Sequence, residues 1–133
     1  MNEEISSFGN TDIYLLDQIL KGRFKSTDKI LDIGCGEGRN LIWFLKNSFD
    51  IHGIDVNPSA IQMLRIYSAS LNEKYRNEKE RFMIGSAGDL PFAPHQFDVI
   101  LHSAVAHFSE NKSQFLNWWK EALRVLKPDG VFL

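Results

Sequence analysis

Three glycines in five residues, Gly34, Gly36 and Gly38, follow directly on the apolar run Lys29-Ile30-Leu31-Asp32-Ile33. The run is short and stops at glycine, so it reads as a buried strand. Beyond the glycines, Leu41, Phe44 and Leu45 recur at helical spacing, and the spacing predicts a helix from about Gly38. A strand that turns through glycine into a helix belongs to α/β architectures. The missing side chains of Gly34 and Gly36 let a ligand approach the backbone, and the helix N-terminus offers unpaired N–H groups and a positive dipole end. The turn points to a nucleotide-type ligand without saying which one.

The rest of the chain repeats the alternation. Residues 1–10 are polar and turn-prone and read as a loose arm. Ile13, Leu16, Ile19 and Leu20 form a helical stripe behind Thr11 or Asp12 as N-cap, with Gly22 at the C-cap, and this helix and its linker occupy 11–27. Residues 51–56 read as the second strand. Pro58 suits the first turn of a helix carrying Ile61, Leu64, Ile66 and Leu71, whose solvated end is the charged stretch 72–81. A third strand over 81–84 leads into a loop with Gly85, Gly88, Pro91 and Pro94, then a fourth strand over 97–102. An amphipathic helix covers 112–126. It is expected to stop at Lys127-Pro128-Asp129-Gly130, with Gly130 at positive φ, before a fifth strand begins at Val131. Alternating strands and helices without a linker predict one domain over 1–133, with its core in 28–133. The fold class is α/β: a mostly parallel sheet with helices on both faces.

Composition removes several function classes. Fifteen Lys and Arg against seventeen Asp and Glu leave a formal charge of −2 in 133 residues, so there is no global basic field, which argues against nucleic acid as partner. No apolar run reaches the roughly 18 residues of a membrane span, and the acidic start Met1-Asn2-Glu3-Glu4 is unlike a signal peptide, so a cytoplasmic protein is expected. Cys35 is the single cysteine, and the four histidines show no i, i+4 pair, so neither a disulfide nor a metal site is expected.

Asp55 ends the second strand about twenty residues past the glycines, where a carboxylate accepts both hydroxyls of a ribose. Two details bear on the ligand. The spacing is Gly-x-Gly-x-Gly rather than Gly-x-Gly-x-x-Gly, and Asp32 and Glu37 flank or enter the loop. These acids repel a pyrophosphate and suit a cation. Asp32 has two readings, a partner for an amino group or an anchor for the loop's backbone N–H groups.

With these residues in place, 29–133 resembles the class I S-adenosylmethionine-dependent methyltransferases, in particular their small bacterial type 11/12 branch. Leu31-Asp32-Ile33-Gly34-Cys35-Gly36-Glu37-Gly38 is similar to the family's first motif and Gly53-Ile54-Asp55-Val56-Asn57 to its second. Gly85-Ser86-Ala87-Gly88-Asp89-Leu90-Pro91-Phe92 with Phe97-Asp98-Val99-Ile100 is similar to the third region. Glu121-Ala122-Leu123-Arg124-Val125-Leu126-Lys127-Pro128-Asp129-Gly130 is similar to the family's helix-to-strand hallmark.

The resemblance implies an open, doubly wound, Rossmann-like sheet and S-adenosyl-L-methionine as cofactor, with S-adenosyl-L-homocysteine as product and a small-molecule acceptor. By the same resemblance, Asp32 and the loop of Gly34, Cys35, Gly36 and Gly38 face the methionine part, and Asp55 the ribose. Val56 packs on the adenine and Ala87 offers backbone to its edge. Ser86 stands where the family often has an aspartate for the adenine amino group, with Asp89 nearby as a substitute, and Ser103 and Ala104 lie near the sulfonium. Family members continue beyond the fifth strand, so that strand's edge is expected to be open, with self-association through it.

Other residues are weaker candidates. His107 and, less so, His102 stand at the ligand side of the fourth strand as base or substrate contact, although displacement at a sulfonium does not require a base. Cys35 is read as structural, and of Trp118 and Trp119 one is expected in the core and one partly exposed. By the family resemblance alone, Tyr14 and Phe8 are expected to help the N-terminal segment close over the cofactor. Two other functions stay open: a non-catalytic cofactor-binding or interaction module, and an NAD-dependent oxidoreductase.

Overall fold

The computed structural model describes residues 12–77, 79–102 and 110–133. Five strands, β1 (Lys29–Ile33), β2 (Asp50–Asp55), β3 (Phe82–Ile84), β4 (Phe97–Leu101) and β5 (Leu126–Phe132), form one sheet in the order β3-β2-β1-β4-β5. Every pairing is parallel. The order reverses beside β1, as expected, so the crevice of a doubly wound sheet opens at the carboxyl ends of β1 and β4. The described residues form four α-helices: α1 (Ile13–Leu20) ahead of β1, and α2 (Ile42–Lys46), α3 (Pro58–Leu71) and α4 (Lys112–Val125) in the connections β1–β2, β2–β3 and β4–β5.

The alternation of side chains along buried strands divides the apolar residues between two cores. Ile30, Ile51, Val99 and Leu101 pack with Leu15 and Ile19 of α1, Phe44 and Leu45 of α2, and Ile61 and Leu64 of α3. Leu31, Ile33, Ile54 and Ile100 pack instead with Ala122 and Val125 of α4. Helices therefore cover both faces. Local signals set where they begin: Asp12 caps α1 through the amides of Tyr14 and Leu15, and Asn57 caps α3 ahead of Pro58. No helix of the described residues is long and apolar enough to cross a membrane.

Several expected boundaries are corrected. The second helix begins at Ile42, not near Gly38, because Gly36 and Gly38 take positive φ and lie outside the right-handed helical region. Ile13 and Leu20 face outward from α1, and Leu15 fills the buried position in their place. Ile66 likewise faces outward on α3, where Ser68 is buried and its hydroxyl donates to the Arg65 carbonyl. The charged stretch after α3 is not a helix end. It forms two 3-10 turns, Glu73–Tyr75 and Lys79–Arg81, which drive Tyr75 into the first core with its hydroxyl donating to the Phe49 carbonyl at 2.6 Å. At the hallmark segment β5 begins at Leu126, and Leu126 and Val131 lie opposite Phe97 and Val99, so β5 carries a wide bulge. Gly130 is not at positive φ. It is glycine because a Cβ there would stand 2.9 Å from the Asp98 carbonyl oxygen and 2.5 Å from Leu126 Cδ1.

Candidate functional site

The glycine loop joins β1 to α2 by hooking over the end of β2. The amides of Gly34 and Cys35 both donate to the Ile54 carbonyl, at 2.8 and 3.1 Å, and the Gly36 amide donates to Asp55 Oδ2 at 2.8 Å. Asp55 Oδ1 accepts from the Asn57 amide at 2.9 Å. The carboxylate thus ties the loop to the β2 end with one acceptor site on each oxygen, and a carboxylate has about four such sites. Gly38 requires its own residue type: φ is +88° and a Cβ would fall 2.5 Å from Leu64 Cδ1. At Gly36, by contrast, φ is +54° and nothing lies within 4 Å of where a Cβ would be, which leaves open space against the bare backbone.

Asp32 is the anomalous group. Only 5% exposed, it lies beneath the loop, and burial, followed by the nearby Asp55 charge, pushes its pKa up to about 8 against the opposing pull of Arg39. Of the loop amides, those of Gly34, Cys35 and Gly36 go to Ile54 and Asp55 and not to Asp32. What remains is a buried carboxyl lacking enough positive charge around it, and that environment suits an arriving cation. Cys35 is buried with its thiol pKa pushed up by desolvation and by Asp32 and Asp55, which leaves it inert as a nucleophile. Its Sγ fills the space beside Gly53, where a Cβ would come within 2.8 Å.

The β2 and β3 ends form the next wall. Val56 is 70% exposed although apolar, and Ile84, 51% exposed, lies opposite Asp55 in the β2–β3 register. Two apolar side chains held bare at neighbouring strand ends suit a flat ring. Ile84 was missed from the sequence because its strand is three residues long and shows no alternation. Ser86 is exposed, with its Oγ accepting from the Gly88 amide at 3.1 Å, and Ala87 packs on the second core.

This loop is held from behind by the hallmark segment. Glu121 Oε1 accepts the Leu90 amide at 2.8 Å, while Arg124 donates to the carbonyls of Leu90 at 2.9 Å and Phe92 at 2.8 Å and pairs with Glu121 at 2.7 Å. Those two residues therefore fix the β3–β4 loop onto α4. At the N-terminal side, the Asp12 amide donates to Asn40 Oδ1 at 2.8 Å, which ties the start of α1 to the glycine loop. Tyr14 is exposed nearby in sequence, and Trp118 is packed on the second core with Trp119 more exposed, as expected. Phe8, Ser103, Ala104 and His107 lie outside the described residues.

The residues fit a ligand with a cationic end, a diol and a flat base, at Asp32, Asp55, and Val56 with Ile84. Residues 31–133 match the family described as Methyltransferase domain. The methyltransferase YcgJ of Bacillus subtilis is 34% identical over 110 residues, covering 82% of this chain and 40% of the relative. Its crystal structure superposes with a TM-score of 0.70 at 26% identity, over 91% of this chain and 49% of that one. Erythromycin 3''-O-methyltransferase of Saccharopolyspora erythraea is 34% identical over 106 residues, 78% of this chain and 33% of the relative. The PH0226 protein of Pyrococcus horikoshii has a TM-score of 0.71 at 30% identity, over 90% of this chain and 50% of its own. The chain thus spans half or less of the length of these relatives.

Proposed function

Because the chain belongs to the methyltransferase domain family, we propose that it takes part in methyl transfer from S-adenosyl-L-methionine to a small-molecule acceptor. The observation that carries this reading is the pairing of Asp55 with the glycine loop above the buried Asp32 carboxyl. When bound, S-adenosyl-L-methionine supplies a methyl group already activated on a sulfonium. Asp32 receives the ammonium of the methionine part, with the bare backbone at Gly34, Cys35, Gly36 and Gly38 beside it. Asp55 uses its remaining acceptor sites for the ribose hydroxyls. Val56 and Ile84 sandwich or underlie the base, and Ser86 and the Ala87 backbone meet its edge. Ser103 is assigned to the sulfonium side by resemblance alone. The protein's contribution to rate in this scheme is alignment of donor and acceptor, which for an activated donor supplies much of the acceleration.

The acceptor class rests on the relative named for erythromycin O-methylation. Calorimetric titration of S-adenosyl-L-methionine and S-adenosyl-L-homocysteine tests the cofactor. Micromolar binding is expected for both, lost by at least about thirtyfold in Asp55→Ala, where two charge-assisted bonds disappear. Binding of NAD in their place would sink the reading. The β5 edge bears Val131, half-exposed on the outermost strand of the sheet. We propose self-association through it: sedimentation should show concentration-dependent dimers, abolished by Val131→Lys. A monomer at all concentrations rejects it.

A further inference from the structure

His102 follows β4 directly, and its backbone is pinned by β5: its amide donates to the Leu133 carbonyl at 2.9 Å, and the Leu133 amide to Ile100 at 2.8 Å. The residue is 8% exposed, yet Nε2 is buried without a hydrogen-bond partner among the described residues. Buried imidazole nitrogens are nearly always paired, and one left bare costs free energy that a ligand recovers. His102 lines a cavity of about 80 Å³ whose other walls, among the described residues, are Phe115, Trp118, Trp119 and Phe132. At about 30 Å³ per water the space takes a hydroxyl and the few carbons that carry it. The rings are fixed, with His102 stacked on Phe132 at 5.7 Å and Trp119 against Phe132 at 4.5 Å, and Phe115 and Trp119 remain partly exposed at the mouth.

Burial holds the His102 pKa below the usual histidine range, so the ring is neutral at pH 7. The nearby His102 backbone acts in the opposite direction, and of the two ring nitrogens only Nδ1 can reach it, which favours the tautomer protonated there. Nε2 is then an acceptor. A wall of aromatic faces with a single acceptor at the floor recognises a flat apolar group bearing one O–H donor. The cavity sits at the carboxyl end of β4, the end at which ligands enter such sheets.

Building on the methyltransferase reading, we propose that this cavity is an acceptor subsite: His102 Nε2 accepts a hydrogen bond from a hydroxyl on an aromatic or similarly flat substrate, whose frame lies against Trp118, Trp119 and Phe115. His102 is here a binding and specificity residue.

The test uses phenol and anisole as probes on the cofactor-free protein, followed by NMR of the His102 ring nitrogens and the indole N–H signals. Phenol should shift the Nε2 resonance and bind about tenfold more tightly than anisole, which has the same ring without the donor. His102→Leu should remove that preference by weakening phenol about tenfold and leaving anisole unchanged. Should His102→Leu fail to fold, the wild-type comparison and the Nε2 shift decide alone. Equal affinities, an unmoved Nε2 signal, or no binding of either probe overturns the subsite. Since no cofactor is present, that failure is separate from failure of the methyltransferase reading, which the S-adenosyl-L-methionine titration decides.

Discussion

Asp32 sets the strongest pH dependence at the level of single residues. Its carboxyl titrates near 8 in the folded chain and near 3.8 when exposed. Between those values the folded state binds the extra proton, so stability falls as pH rises from about 4 to about 8. Asp32→Asn should therefore be more stable than wild type at pH 8 by about 1–3 kcal/mol in urea unfolding, and the two should converge near pH 4. The same substitution should abolish cofactor binding, because the ammonium loses its partner. A companion expectation concerns the wild type. An arriving ammonium lowers the Asp32 pKa, so S-adenosyl-L-methionine affinity should rise with pH up to about 8 and then level. Calorimetry in buffers of different ionisation enthalpy would detect the released proton. A flat affinity from pH 6 to 9 would remove Asp32 from the cofactor site.

Secondary-structure elements make their own demands, clearest where α4 meets the β3–β4 loop. Arg124 holds two loop carbonyls and Glu121 a loop amide, with the pair bonded to each other. Arg124→Ala leaves a carboxylate and two carbonyls without that partner and should cost about 2–3 kcal/mol in urea unfolding. The Glu121 pKa is depressed, first by its bond to Arg124, so its contribution is present at neutral pH and lost as pH falls through the carboxylate range. At the β5 bulge, Gly130→Ala must push against the Asp98 carbonyl and should cost about 1–3 kcal/mol. An unchanged urea midpoint for either variant would show that the surrounding loop yields more than its contacts suggest.

At the scale of the whole molecule, the parallel order β3-β2-β1-β4-β5 gathers Asp55, the glycine loop and the β3–β4 loop at one end of the sheet. Those segments come from separate parts of the chain, so a ligand that bridges them stabilises the folded state alone. S-adenosyl-L-methionine at about a hundred times its Kd should add about 2.7 kcal/mol to stability, seen as a rise in Tm, and Asp55→Ala should show none. A rise retained in Asp55→Ala would place the binding elsewhere.

The sequence by itself determined the strand-helix alternation and the positions of the glycine loop and of the strand-end acids, because these rest on local periodicity and backbone conformation. It could not show which carboxylate anchors the loop. Asp32 and Asp55 are both acids at strand ends, and only the pairing of β1 with β2 sets Asp55 under the Gly36 amide and leaves Asp32 buried. Ile84 joined the site for a similar reason, through its register opposite Asp55. The α2 start moved because Gly36 and Gly38 take positive φ, with the Gly36 amide held by Asp55 from the neighbouring strand. His102 reads in the sequence only as a weak candidate for a base or substrate contact, and the burial of its Nε2 arises once α4 and β5 close around it. Burial, charge environment and register are sums over residues far apart in the chain, and they exist only once the sheet has assembled.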